Sequence, residues 1–192
     1  MRRVWVVGKT GSGKSTAARA LAQRLGTSWV ELDAIFHQAG WQPLDTASYR
    51  ARVADVVARD SWAVDGNYSA VADLVRARAD TVIWLDLPRR AVMVQVVGRT
   101  LHRVVRHEEL WNGNRERVVS LFRRDPEKSI IRWAWTQHYS LRARYAALAA
   151  ELADGSASRA DGGVQLVRLQ SRAQVQVYIA RITPATTAPG HP

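Results

Sequence analysis

At 192 residues, with 47% hydrophobic and 23% charged residues, the chain is long enough for one ordinary buried core and needs no metal or disulfide staple. It has no cysteine, which excludes a disulfide framework, Cys-ligated zinc or iron–sulfur, and a thiol nucleophile, and fits a reducing, cytoplasmic setting. The net charge of +11, carried mostly by arginine, calls for a polyanion: phosphates in a pocket or a nucleic-acid surface.

The arginines run from Arg2 to Arg181 without a dense block, which favours the pocket. The apolar run after Arg3 stops at Gly8, too short for a signal peptide, and nothing approaches the roughly 18 consecutive apolar residues of a membrane span. A soluble protein without membrane contact is expected, as a monomer or a homodimer.

Arg3 to Val7 reads as a β-strand, and the Ala/Leu-rich segment from Ser15 to Leu25 as a helix closed by Gly26. Trp29 to Leu32 is a second strand ending on Asp33, and Asp45 or Thr46 caps a helix to about Arg59. Trp62 to Val64 is a third strand ending on Asp65-Gly66, and a short helix around Val71 to Ala79 leads to the fourth, Thr81 to Leu85. Pro88 opens a helix to about His107. Asn112-Gly113-Asn114 is a turn, Arg115 to Phe122 a helix, and Asp125-Pro126 starts a long helix to about Leu152. A flexible loop over Asp154 to Gly163 precedes a fifth strand, Val164 to Leu169, and a last helix, Arg172 to Ile182. Strands alternating with helices give an α/β domain: a parallel sheet with helices on both faces. One domain over residues 1–182 and a disordered tail over 183–192 are expected.

Gly8-Lys9-Thr10-Gly11-Ser12-Gly13-Lys14-Ser15 fits G-x-x-x-x-G-K-[ST] between a strand and a helix, the context in which the motif is a P-loop. Its glycines let successive amides turn inward around phosphates, and the helix that follows adds its positive end. ATP and Mg²⁺ are the expected ligands: Lys14 reaches the β- and γ-phosphates, Ser15 places its hydroxyl on the metal, and Thr16 lies beside the α-phosphate. A carboxylate at the end of a neighbouring strand is then needed for the metal, and Asp65 and Asp86 are the candidates, with Asp86 favoured by pattern alone. Asp33 is expected at the same sheet edge, where ligands of open α/β sheets bind. Between Asp86 and Glu108 there is no acidic residue, while Arg99, Arg103 and Arg106 share one helix face. They either contact the transferring phosphates or form a solvated basic face. His37, His102, His107 and His138 lack the paired spacing of a metal site.

The residues Gly8 to Thr16, Leu32-Asp33, Gly40-Trp41, Trp62 to Ser69 and Ala79 to Asp86 resemble the adenylate-kinase-like P-loop kinases. The stretch Asp65-Gly66-Asn67-Tyr68-Ser69 is similar to a subgroup often labelled DNA topology modulation proteins. The resemblance implies a nucleoside-monophosphate-kinase-like P-loop fold, a five-stranded parallel sheet of order 2-3-1-4-5, an acceptor-binding region over about 34–60 and a helical lid over about 99–125. It also implies that Asp65, on the strand beside the P-loop strand, holds the magnesium, that Asp33 binds or deprotonates an acceptor hydroxyl, and that Arg172 lies where the adenine ring is held. The expected activity is ATP-dependent phosphoryl transfer to a small molecule. Adenylate kinases carry Asp-Gly-Phe-Pro-Arg where this chain has Asp65 to Ser69, so the arginine that grips an acceptor phosphate is missing at that place. A nucleotide-dependent nucleic-acid-binding protein and a regulatory NTPase are the alternatives.

Overall fold

A computed structural model of the chain describes residues 1–105, 111–114, 138–153 and 163–184. Its sheet has five parallel strands, β1 (Arg3–Gly8), β2 (Trp29–Glu31), β3 (Trp62–Asp65), β4 (Thr81–Leu85) and β5 (Gln165–Leu169), in the order β2-β3-β1-β4-β5. The helices are α1 (Lys14–Leu25), α2 (Leu32–Phe36), α3 (Thr46–Val57), α4 (Ala72–Arg78), α5 (Arg89–Val105), α6 (His138–Ala153) and α7 (Arg172–Arg181).

The inner strands read as near-continuous apolar runs because both of their faces are covered. Alternate residues divide between the two faces. Trp5, Val7, Trp62, Val64, Val82 and Trp84 pack with Tyr49, Val53, Val75 and Tyr145 of the helices on one side. Val4, Val6, Ala63, Ile83 and Leu85 meet Ala17, Ala18, Leu21 and Ala22 of α1 on the other, where α7 also packs. The row of alanines lets α1 lie close over the sheet, so the loop before it is held by a rigid strand and a rigid helix.

Three details depart from the sequence-based expectations. The second strand stops at Glu31, where its pairing with β3 ends at Glu31↔Asp65, and Asp33 lies in the first turn of α2 rather than at a strand end. The chain turns there because Leu32 is buried against Gly66, where a Cβ would sit 2.7 Å from that of Leu32. Gly66 holds φ 138°, a conformation other residues rarely adopt. The segment Ser69–Val71 is a 3₁₀ turn before α4, and Trp111–Gly113 is another, with Asn112 at φ 54°. The predicted helix over 115–122, the start of the long helix at Asp125, Arg106, His107, most of the 154–163 loop and the tail from 185 lie outside the described residues.

Candidate active site

The loop Gly8 to Ser15 joins β1 to α1. Gly8 sits at φ 148°, and a Cβ there would lie 2.7 Å from the carbonyl oxygen of Leu85 on the adjacent strand. Only glycine allows that approach. The loop then turns through Ser12 N–H donating to Lys9 O at 3.0 Å. No side chain caps α1 and no acid lies in its first turn, so its leading amides and positive dipole end are left for an anion. Ser12 Oγ is buried without a hydrogen-bond partner in the same loop. Lys14 Nζ folds back to donate to Lys9 O at 3.0 Å. Burial lowers the pKa of Lys14; Asp33 and Asp65 oppose the shift, and Arg99 adds to it. Two cations and an orphaned hydroxyl around uncapped amides form a seat whose electrostatics a polyphosphate completes.

The hydroxyl of Ser15 lies between two carboxylates, 2.9 Å from Glu31 Oε1 and 3.2 Å from Asp65 Oδ1. The register Glu31↔Asp65 brings them there from adjacent strands. Each carboxylate is held by an indole: Trp29 Nε1 donates to Asp65 Oδ2 at 2.8 Å, and Trp111 Nε1 to Glu31 Oε2 at 2.7 Å. Burial pushes the Asp65 carboxyl up to about 7; the Trp29 hydrogen bond opposes this, and the nearby charge of Glu31 adds to it. Among the described residues no three His, Cys, Asp or Glu side chains could hold a metal by themselves. A hydroxyl and two carboxylates are nevertheless oxygen donors of the kind Mg²⁺ takes, since it keeps several waters and completes its shell from substrate phosphates.

Asp86, the other strand-end candidate, is differently engaged. It is buried and accepts from the Arg168 guanidinium at 2.5 and 3.1 Å, with Arg142 Nε at 3.3 Å and Lys9 Nζ at 3.8 Å. Its backbone N–H donates to Leu169 O at 2.8 Å. Asp86 thus anchors the second residue of the P-loop to β5 and α6.

Asn67 clamps the start of the loop. Its amide oxygen accepts from Gly8 N–H at 3.2 Å and from the Tyr145 hydroxyl at 2.9 Å, while its Nδ2 donates to Gly8 O. In Asp65-Gly66-Asn67 the acid therefore faces Ser15, the glycine admits Leu32 and the amide fixes Gly8. Ser69, in the place of the missing arginine, is exposed at the start of its 3₁₀ turn.

The charge of the Asp33 carboxylate acts on Lys14 of the P-loop, on His37 just after α2, on Tyr49 of α3 and on Tyr68 of the loop after β3. The Trp111–Asn114 turn docks on this region. Asn114 Nδ2 donates to Gln38 O at 2.9 Å, its Oδ1 accepts from Trp41 N–H at 2.8 Å, and Asn112 Nδ2 donates to Ala34 O at 3.3 Å. Arg99 is half-buried on α5 near Lys14. Arg103 is also on α5, but its side chain is not among those described. Arg172 opens α7 beside the Gln95 amide; with that amide turned so that its oxygen faces Arg172, the guanidinium donates to it at 2.9 and 3.0 Å and the amide nitrogen donates to Gly11 O at 3.2 Å. That chain of contacts ties Arg172 to the P-loop. Thr10 is half-buried in the loop, and Thr16 is exposed on α1.

Sequence reasoning passed over Glu31, both indoles, Asn67 as a clamp, and Gln95. Glu31 was within reach: it lies two residues before Asp33 at the end of a strand destined to pair with the strand of Asp65. The indoles were not, because Trp111 is distant in sequence and finds Glu31 only through the docked turn.

A family model described as an AAA domain matches residues 4–84, which span β1 to most of β4. No curated protein sequence matches the chain. Among solved structures the chain is similar to shikimate kinase from Bacteroides thetaiotaomicron, at 14% identity and TM-score 0.52, over 94% of this chain and 95% of that one. It is also similar to shikimate kinase from Acinetobacter baumannii in complex with shikimate, at 14% identity and TM-score 0.51, over 95% and 90% of the two chains. The chain shares its fold with these two kinases.

Proposed function

We propose that the chain moves the γ-phosphoryl group of ATP, bound with Mg²⁺ on the P-loop, to a hydroxyl of a small molecule seated at Asp33. The observation that carries this reading is the convergence of three elements at one sheet edge: the uncapped start of α1 with Lys14, the Ser15–Glu31–Asp65 oxygen cluster, and the Asp33 carboxylate. Ser15, Glu31 and Asp65 would hold the cation, which when bound neutralises charge developing on the phosphates. Lys14, joined by Arg99, stabilises the same charge from the loop side. Asp33 orients the acceptor hydroxyl and accepts its proton as the oxygen attacks the γ-phosphorus. The new oxygen–phosphorus bond forms while the bond to the bridging oxygen breaks, and that oxygen leaves on ADP. Arg172 and Gln95 steady the loop at the nucleotide end. Shared fold with two kinases supports the reaction class. A coupled ADP-release assay against a metabolite panel tests it: at least one acceptor should stimulate turnover well above the Lys14→Ala background, and none doing so would refute it.

A second reading, nucleotide-dependent nucleic-acid binding, is favoured by the +11 charge and by the likeness of Asp65 to Ser69 to the DNA topology modulation proteins. It requires affinity that falls steeply with salt. No binding at low salt, with or without ATP, would dismiss it.

A further inference from the structure

The loop that follows α2 is closed on itself: Leu44 N–H donates to Phe36 O and Gln38 N–H to Gln42 O, both at 2.8 Å. The turn docked on this loop comes from far along the chain. The Asn114 side chain is buried and uses both ends of its amide there, on Gln38 O and on Trp41 N–H. Asn112 Nδ2 donates to the carbonyls of Ala34 and His37, and the Trp111 ring is stacked on His37 at 5.9 Å between centroids. Trp111 Nε1 also donates to Glu31 Oε2 at 2.7 Å, and the other oxygen of Glu31 accepts from Ser15. One short turn therefore touches both the oxygen cluster beside the P-loop and the loop that follows Asp33.

The docked arrangement holds strain. Among the described residues the non-glycine residues with positive φ are Trp41, at 61°, and Asn112, at 54°. They lie on opposite sides of this one contact, next to Gly40 at 70° and Gly113 at 77°. Side chains keep that conformation only where surrounding contacts enforce it, and such positions cluster at clamps and switches. The turn therefore stays docked only as firmly as its contacts hold it, and the bond to Glu31 is one of them. The Ser15 hydroxyl has one proton for two carboxylates, 2.9 and 3.2 Å away, so it cannot hold both at once. A cation among these oxygens fixes both, and Trp111 then donates to an acceptor already oriented, as the outer donors of metal sites do.

We infer that Trp111 and Asn114 are positioning residues that couple the cation site to the loop after Asp33: a cation held by Ser15, Glu31 and Asp65 firms the Trp111–Glu31 bond, and with it the docking of the turn. The inference rests on the kinase reading above and adds how that site is regulated. The segment offered to the acceptor is set in place by a loaded nucleotide site, and a metal-free site leaves it looser. Linkage makes the effect mutual, so docking of the turn tightens the cation by the same factor.

The test follows amide exchange of Trp41, whose N–H donates to Asn114, in the full chain saturated with adenylyl imidodiphosphate, a non-hydrolysable ATP, with Mg²⁺ or with EDTA. Mg²⁺ should slow that exchange at least about fivefold. In Trp111→Phe, which keeps the ring on His37 and removes the donor to Glu31, the Mg²⁺ effect should fall below about twofold. Asn114→Ala removes an amide engaged on Gln38 and Trp41 rather than on a carboxylate, and should raise the Mg²⁺ concentration for half-maximal nucleotide binding about fivefold. A turn that only supports the structure would instead speed Trp41 exchange in Trp111→Phe by the same factor with and without Mg²⁺. That result, exchange unchanged or faster with Mg²⁺ in the wild type, or an unchanged Mg²⁺ titration in Asn114→Ala overturns the inference and leaves the kinase reading standing. A wild type with no Mg²⁺-dependent nucleotide binding removes both.

Discussion

Replacing Asp86 with asparagine separates a structural anion from a metal-holding one. The carboxylate serves three cations, and they differ in what they lose. Arg142 and Arg168 have side chains 47% and 40% exposed and can turn to water, so their share is small after solvent screening. Lys9 is 3% exposed and cannot. Burial already lowers its pKa, and the charge of Asp86 is the main opposing influence. Leaving one member of a buried pair unpaired costs roughly 3 to 5 kcal/mol, and because a lysine so placed can release its proton, the lower end, about 3 kcal/mol, is expected. For a chain of this length that corresponds to a fall of roughly 6 to 12 °C in melting temperature. Urea unfolding at neutral pH measures it. Adding Lys9→Met to Asp86→Asn should recover most of the loss, since removing both members of a buried pair is close to neutral. Nucleotide-free stability that changes by less than about 1 kcal/mol, together with loss of Mg²⁺-dependent nucleotide binding, would refute the reasoning and return Asp86 to the metal.

Trp111→Phe keeps a ring on His37 but removes the donor to Glu31, and should raise the Mg²⁺ concentration for half-maximal nucleotide binding about three- to tenfold; an unchanged titration would disconnect the turn from the cation site. Asp65 has a folded pKa raised to about 7 from 3.8, so the native state holds more protons between those values and the stability of ligand-free protein falls as pH rises through that window. Asp65→Asn should flatten that slope in a pH series of melting temperatures, and a slope of the same size in the variant would assign it to another group. Gly8→Ala, at φ 148° with a Cβ 2.7 Å from Leu85 O, should lose about 2 to 4 kcal/mol in urea unfolding. Wild-type stability there would contradict the approach of the loop to β4.

The features that local chemistry dictates were legible. The Gly8 to Ser15 pattern, the apolar runs of the strands and the cap at Asp45 are each written in a few neighbouring residues, and the sheet order follows from the family likeness that the P-loop and Asp65 to Ser69 carry. What could not be read depends on pairing across the sheet or between distant segments. Asp86 follows the more apolar strand, which made it the obvious candidate, yet β4 delivers it toward β5 and α6, where Arg168 and Arg142 meet it. Glu31 looks like the last polar residue of an edge strand until its register with Asp65 sets it beside Ser15. Asp33 was assigned to a strand end because nothing local shows that Leu32 turns under Gly66 to start a helix.

The central claim is transfer from ATP to a bound hydroxyl, and phosphorus NMR of the reaction mixture tests it most directly. With an acceptor that stimulates ADP release, the γ-phosphate signal of ATP should convert to that of a phosphate monoester in step with ADP. The conversion should be absent in Lys14→Ala and strongly reduced in Asp33→Asn, which keeps the shape of the side chain without its proton-accepting charge. Conversion to inorganic phosphate alone, at the same rate with and without acceptor, would contradict the claim and leave a hydrolase in its place.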